Sequence, residues 1–163
     1  MMKPKKRLAG LPRIGALLRD ERAASAVEFA LVAWSFIFVL LWLLQLGIFF
    51  MTQVSLDNGL IAEAETVRAD LVAGTLPTAA TIKAGVVSNA GALVKNNSTL
   101  SVEVRTLTDL DSSAIAIVDG YSDYGTTTST LVLRAQGQAI TFIPGFGSIF
   151  TVTSAAMIRR QGK

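Results

Sequence analysis

The sequence predicts an α+β fold: a long amino-terminal transmembrane and amphipathic helix, a short second helix and a small antiparallel β-sheet. Three observations carry this expectation. An uncharged stretch of 28 residues runs from Phe29 to Leu56, longer than the roughly 20 helical residues that cross a bilayer core. Apolar residues then recur at helical spacing through two further segments. Beyond residue 99 the apolar period changes from about 3.6 to two, the mark of strands with one buried face.

Composition fits one span joined to one small domain. Of 163 residues 51% are hydrophobic and 17% charged, apolar for a soluble chain but too polar for a bundle of several spans. The net charge of +3 is unevenly placed. Residues 1 to 22 hold Lys3, Lys5, Lys6, Arg7, Arg13, Arg19 and Arg22 against Asp20 and Glu21, which sums to +5 and leaves −2 for residues 23 to 163. A basic block beside a hydrophobic run is an orientation signal, so no nucleic-acid partner is expected. The chain has no Cys and no His. Thiolate nucleophiles, disulfides, the usual zinc ligand sets and imidazole-dependent triads are therefore excluded. No catalytic, cofactor-binding or metal-binding residue is expected, and the chain is not read as an enzyme.

Taken in order, residues 1–23 form a basic cytoplasmic leader, 24–56 a transmembrane helix and 57–163 an extracytoplasmic α+β domain. The apolar run is too long for a cleavable secretory signal, and bulky Phe49, Phe50 and Met51 stand where small residues would be needed. It is read as retained. Lysine and arginine mark the inside, while Asp57, Glu63 and Glu65 precede the first outer basic residue, Arg68. The amino terminus is expected in the cytoplasm, membrane lipid is a partner, and the outer domain faces the periplasm or the exterior.

Leu56, Leu60, Ala64, Val67 and Leu71 continue the helix over 57–74 with one apolar face, stopping at Gly74; Asn58-Gly59 predicts a kink. Ile82, Val86, Ala90, Leu93 and Val94 give a second helix over 78–95, after Pro77. The strands lie within 99–160. In "TLSVEVRTL" Leu100, Val102 and Val104 alternate with Ser101, Glu103 and Arg105, and residues 129 to 143 and 148 to 160 give two more strands around a "PGFG" turn. "AIAIV" (114 to 118) is a possible short strand in a polar segment.

Glu28 stands at the inner mouth of the uncharged run. Alone, it is accounted for by the headgroup layer and the positive end of a helix dipole. Its neighbourhood says more. "RAASAVEFALVAWSF" joins a basic residue, small residues, Val-Glu-Phe-Ala and a Leu-rich span, and this resembles the type IV pilin class, within it the TadE-like minor pseudopilins of tight adherence (Flp/type IVb) pilus systems. The close likeness covers residues 20 to 55; a looser one lies in the late "FIPGFG" loop and the closing "TVTSAAMIRR" strand.

The resemblance implies a structural and assembly component of a pilus or secretion apparatus in the bacterial inner membrane, with other pilins or pseudopilins, the assembly platform and a prepilin peptidase as partners. It also implies that the fifth mature residue is the conserved glutamate. Counting back from Glu28 makes Ala24 the first mature residue and Ala23 the residue before the cut, where the family usually has glycine. Ala23 and Ala24 are thus the processing positions, and Glu28 and Phe29 the assembly positions. A carboxylate at Glu28 would neutralise a new α-amine at Ala24 of its own or an adjacent helix, since an unpaired charge in hydrocarbon is costly. The alternative is an unprocessed, single-span anchored periplasmic binding or sensing domain.

Other motifs carry less. Gln45 and Gly47, deeper in the span, are polar or small positions that suit packing between helices, although a single polar residue near the outer end of a span is more often simply tolerated. Asp109, Asp111, Asp119 and Asp123 do not fit the calcium loop, because Ala114 stands where its glycine belongs, and are read as a solvated loop.

Overall fold

The computed structural model describes residues 21–95, 99–110, 116–142 and 149–160, with the side chains of 21–23 and 95 excepted. Its architecture is α+β. Helix α1 (Glu21–Ala73) is followed by α2 (Ala79–Ala90), the single-turn α3 (Ala92–Lys95), strand β1 (Ser101–Thr106), the single-turn α4 (Leu107–Leu110), β2 (Thr130–Gln138) and β3 (Thr151–Arg159). The three strands form one antiparallel sheet in the order β1-β2-β3. The chain divides into two compact units, residues 1–43 and 44–163.

In the unit 44–163, α1 buries one stripe. Leu56, Leu60 and Val67 are fully inaccessible, and Ala64 and Leu71 nearly so. These are the positions whose 4, 4, 3, 4 spacing predicts an apolar face, because residues so spaced fall on one side of a 3.6-residue helix. They pack with Ile82, Val86 and Ala90 of α2 and with Val102, Val104, Leu131, Leu133, Val152 and Ile158 from the sheet. Each such side chain contributes about 1.5–3 kcal/mol on leaving water.

Helix α1 ends where glycine permits it: Gly74 has φ +84°, and the Gly74 and Thr75 amides return to the carbonyls of Leu71 and Asp70. Asn58-Gly59 does not interrupt α1. Gly59 is the point of closest approach to α2, where an added Cβ would come within 2.5 Å of Ala90 Cβ and 2.8 Å of its backbone. Ser55 Oγ donates to the Ala90 carbonyl at the same crossing. The expected helix over 78–95 is two pieces. Thr78 caps α2 by accepting from Thr81 N at 3.2 Å, and Gly91, with φ +78°, separates α2 from α3.

Register in the sheet pairs Val102 with Ala135 and Val104 with Leu133, and Leu131 with Ile158 and Ala135 with Ser154. The expected simple alternation of β1 needs correction at one residue: Glu103 is wholly buried between Val102 and Val104. Residues 116–124 lie along the outer edge of β1 and cover it. Val104 N donates to Tyr121 O at 2.9 Å, Asp123 N to Val104 O at 2.9 Å and Gly120 N to Val102 O at 3.1 Å. Residues 114 and 115 of the possible "AIAIV" strand and the "PGFG" turn lie outside the described residues; residues 116–118 form no strand of their own. One isolated parallel bridge, Val104 to Ser122, marks the contact.

Candidate functional site

The sequence places the functional interest on the first half of α1, and there the structure is a helix with bare apolar sides. Val27, Phe29, Leu31, Val32, Trp34, Phe36 and Leu43 are all at least 60% exposed, and they point around the whole circumference. An all-round apolar helix is stable only in lipid or against other apolar surfaces. Among the described residues this is the one helix long and apolar enough to cross a membrane, and none of its most apolar window is buried. Such a helix suits single-pass anchoring.

Ala24, Glu28 and Phe29 are exposed on α1, and Glu28 has no ion pair among the described residues. The side chain of Ala23 lies outside them. About two turns later Ser35 Oγ returns to the Leu31 carbonyl at 2.9 Å, a local bond that hides its hydroxyl from an apolar surrounding. Phe38 and Trp42 meet edge to face with centroids 6.4 Å apart. Trp34, Ser35, Phe38 and Val39 line one open groove on the helix side.

In the unit 44–163, α1 meets the β2–β3 connection through polar contacts that sequence reasoning assigned elsewhere. Gln45 is fully buried. Its Nε2 donates to the Ile140 carbonyl at 2.9 Å, and its Oε1 accepts from Phe142 N at 3.0 Å. Neither a merely tolerated polar residue nor a contact between separate helices, this side chain is a two-pronged clamp on the chain's own backbone. Gln53, two turns on, donates to Thr153 O at 2.7 Å and to Asp57 Oδ1 at 3.1 Å. Between the two glutamines Phe49 packs on Phe150, centroids 5.8 Å apart. Being the one amide inside the apolar stretch Phe29–Thr52 was the available signal.

The electrostatics of the outer part are local. Glu103 accepts from Val118 N at 2.8 Å and from Arg105 Nε at 3.1 Å. Arg134 Nη1 lies 2.9 Å from its other oxygen, a charge contact without hydrogen-bond alignment. Arg105 also sits over the Tyr121 ring, 4.2 Å from its centroid. Asp119, expected in a solvated loop, instead ties elements together: Lys83 Nζ donates to it at 2.8 Å and Val102 N at 3.1 Å. The Lys83 hydrogen bond, aided by the Val102 amide, holds its carboxyl below the ordinary value of 3.8, against a smaller opposing effect of burial. Asp123 accepts from Gly125 N at 2.9 Å; Asp111 lies outside the described residues. Glu63 faces α2 where Gly85 leaves room for its carboxylate, with Asn89 Nδ2 at 3.5 Å. Burial, then the charge of Asp70, raises its carboxyl above the ordinary 4.5. Among the described residues no group of acidic side chains is arranged to hold a metal ion.

Residues 23–61 match the family model described as TadE-like protein. No curated protein and no solved structure matches the chain.

Proposed function

From a TadE-like amino-terminal segment, which associates this chain with tight adherence pilus machinery in general, we propose that the protein is a minor pilin or pseudopilin. It acts by assembly and catalyses no reaction. The observation that carries the reading is the coincidence of the matched residues with the bare apolar half of α1. Among the described residues of the unit 1–43 no other element covers that surface, and lateral association with other apolar helices, in the membrane or in a filament, would cover it.

In this reading the leader 1–23 stays in the cytoplasm, the helix crosses the inner membrane, and the α+β domain lies outside. A prepilin peptidase cuts between Ala23 and Ala24. The exposed Glu28 then neutralises the α-amine of Ala24 on its own or a neighbouring subunit, and the pairing sets the register in which helices pack. Phe29 supplies an apolar contact beside it.

Two measurements test the proposal. Amino-terminal sequencing of membrane-extracted protein should give a chain beginning at Ala24; one beginning at Met1 or Met2 would favour the permanently anchored binding or sensing domain. Glu28→Gln keeps shape but removes charge, so it should leave membrane levels and leader removal near normal while abolishing co-purification with other pilus components. Wild-type co-purification by Glu28→Gln would reduce the carboxylate to a helix-end charge.

A further inference from the structure

The two edges of the sheet differ. Along β1 the chain's own residues 116–124 take up outward groups of Val102 and Val104. Along β3 the outward groups follow from the register. Ala139 N donates to Phe150 O at 2.8 Å and Arg160 N to Ser129 O at 3.2 Å, and both pairs continue the unbroken β2–β3 ladder. Hydrogen-bonded pairs alternate in an antiparallel ladder. Val152, Ser154, Ala156 and Ile158 therefore bond to β2, while Thr153, Ala155, Met157 and Arg159 turn their N–H and C=O groups away from the sheet. The Thr153 carbonyl accepts from Gln53 at 2.7 Å. Among the described residues no backbone group bonds to the rest of this row.

Edges that stay unpaired are usually short, or carry lysine, proline or a bulge. Strand β3 has nine residues in continuous register, and residues 151–158 contain no proline and no charge. Ala155, exposed in its middle, lets a second backbone approach. Charge enters only at the end. Arg159 is exposed and has no ion pair among the described residues. Together with Met157 and Ile158 it borders a depression of about 160 Å³ whose other wall is Ala64, Glu65 and Arg68 of α1. Arg68 is answered by Glu65 at 3.5 Å, which leaves Arg159 as the cation there without a carboxylate.

We propose that the outer edge of β3 is a strand-addition site for another polypeptide, an extended and otherwise uncharged segment that pairs with residues 155–159 and sets a carboxylate against Arg159. A row of alternating N–H and C=O groups is complemented by peptide backbone, which supplies affinity, while side chains at the edge supply choice of partner. A second copy of this chain fits less well. Any antiparallel self-pairing longer than residues 155–159 needs the Thr153 carbonyl, where Gln53 stands on each copy. Within 155–159 the longest self-pairing centres on Met157, and it brings the two Arg159 residues within about 13 Å along the strands with no carboxylate between them. The inference uses the sheet and its flank alone, so it does not depend on the pilus reading.

Full-length protein carrying the photo-crosslinking residue benzoylphenylalanine in place of Met157, or of the exposed Ala80 on α2 as a control, would be irradiated in the cells that produce it naturally. Position 157 should give one adduct with a different protein, and position 80 should not. Ala155→Pro removes an outward N–H and no ladder bond, so it should keep the urea midpoint of the purified protein near wild type and cut the adduct about tenfold. Ala156→Pro, which removes a ladder bond, should unfold the domain. Ala155→Lys, which keeps the backbone and puts a charge on the edge, carries the same test should the proline variant fail to fold. Arg159→Glu should also cut the adduct, and Arg159→Lys should retain it. In dilute purified protein the amides of Ala155, Met157 and Arg159 should exchange fast and those of Ser154, Ala156 and Ile158 slowly. Slow exchange at both sets would mean that this chain covers its own edge, and an adduct of twice the chain's mass would mean that a second copy does. An adduct with another protein that survives both edge variants would be a side-chain contact without strand pairing. Each of these, or no adduct at position 157, overturns the proposal. An adduct lost in the edge variants whose partner is no pilus component leaves strand addition standing and counts against the pilus reading alone.

Discussion

Replacing Glu103 with alanine tests whether the outer edge of the sheet is held by one buried carboxylate. Glu103 is fully inaccessible, while its partners Arg105 and Arg134 keep side-chain exposures of 11% and 21%. The alanine variant loses a charge-assisted bond to Val118 N, for which about 1.5–3 kcal/mol is usual. It also leaves two guanidinium groups largely buried beside each other, and breaking a buried pair in this way costs about 3–5 kcal/mol. Because both arginines keep some contact with water, the lower part of that range applies, about 3 kcal/mol for the variant as a whole. A domain of this size has about 5–15 kcal/mol in total, so the variant should still fold but unfold at clearly lower urea. The near-ultraviolet circular dichroism of Tyr121 and Tyr124 in detergent-solubilised protein would follow it, and amide exchange at Val118, Gly120 and Asp123 should rise first. Glu103→Gln, which keeps an acceptor for Val118 N, should lie between the alanine variant and wild type. A loss below about 1 kcal/mol for Glu103→Ala, in the range of exposed pairs, would refute the claim that this carboxylate is desolvated and holds residues 116–124. With that segment released, the edge of β1 would be open to pairing with another chain, so aggregation on mild heating should accompany the loss.

Two further perturbations separate packing from charge. Gly59→Ala should destabilise the outer domain by about 1 kcal/mol in a urea titration, since its Cβ runs into the Ala90 backbone and crowding of this kind outweighs the up to about 1 kcal/mol gained in helix propensity. Gly47→Ala meets nothing within 4 Å and should be neutral or stabilising in the same assay. The pH dependence has two opposed limbs. The raised carboxyl of Glu63 contributes stability that is full below its ordinary 4.5 and is lost as pH rises through the higher folded value, so Glu63→Gln should be more stable than wild type at pH 7 and should lack that decline. The lowered carboxyl of Asp119 contributes stability present above its ordinary 3.8 and lost as pH falls through the lower folded value. Asp119→Asn should therefore flatten the acid limb of melting temperature against pH, weakly, because the pair is half exposed.

Periodicity alone determined much of this protein. The spacing of Leu56, Leu60, Ala64, Val67 and Leu71 was legible because helical geometry ties sequence position to direction, and all five are buried. The uncharged run and the strands were legible for the same local reason, as was the stop at Gly74. The segment from Arg22 to Phe29 was open to resemblance because its pattern is contiguous. Tertiary structure alone decided what depends on which distant segment arrives. Glu103 reads as an outward residue of an alternating strand until residues 116–124 close over that edge and supply its amide. Gly59 reads as a weak point until Ala90 comes against it. Gln45 reads as a tolerated polar residue or a contact for another helix until residues 95 and 97 positions away in the chain present a carbonyl and an amide to it. In each case the sequence displays a polar or small residue at odds with its local pattern, while the partner that explains it is fixed by the path of the chain through space.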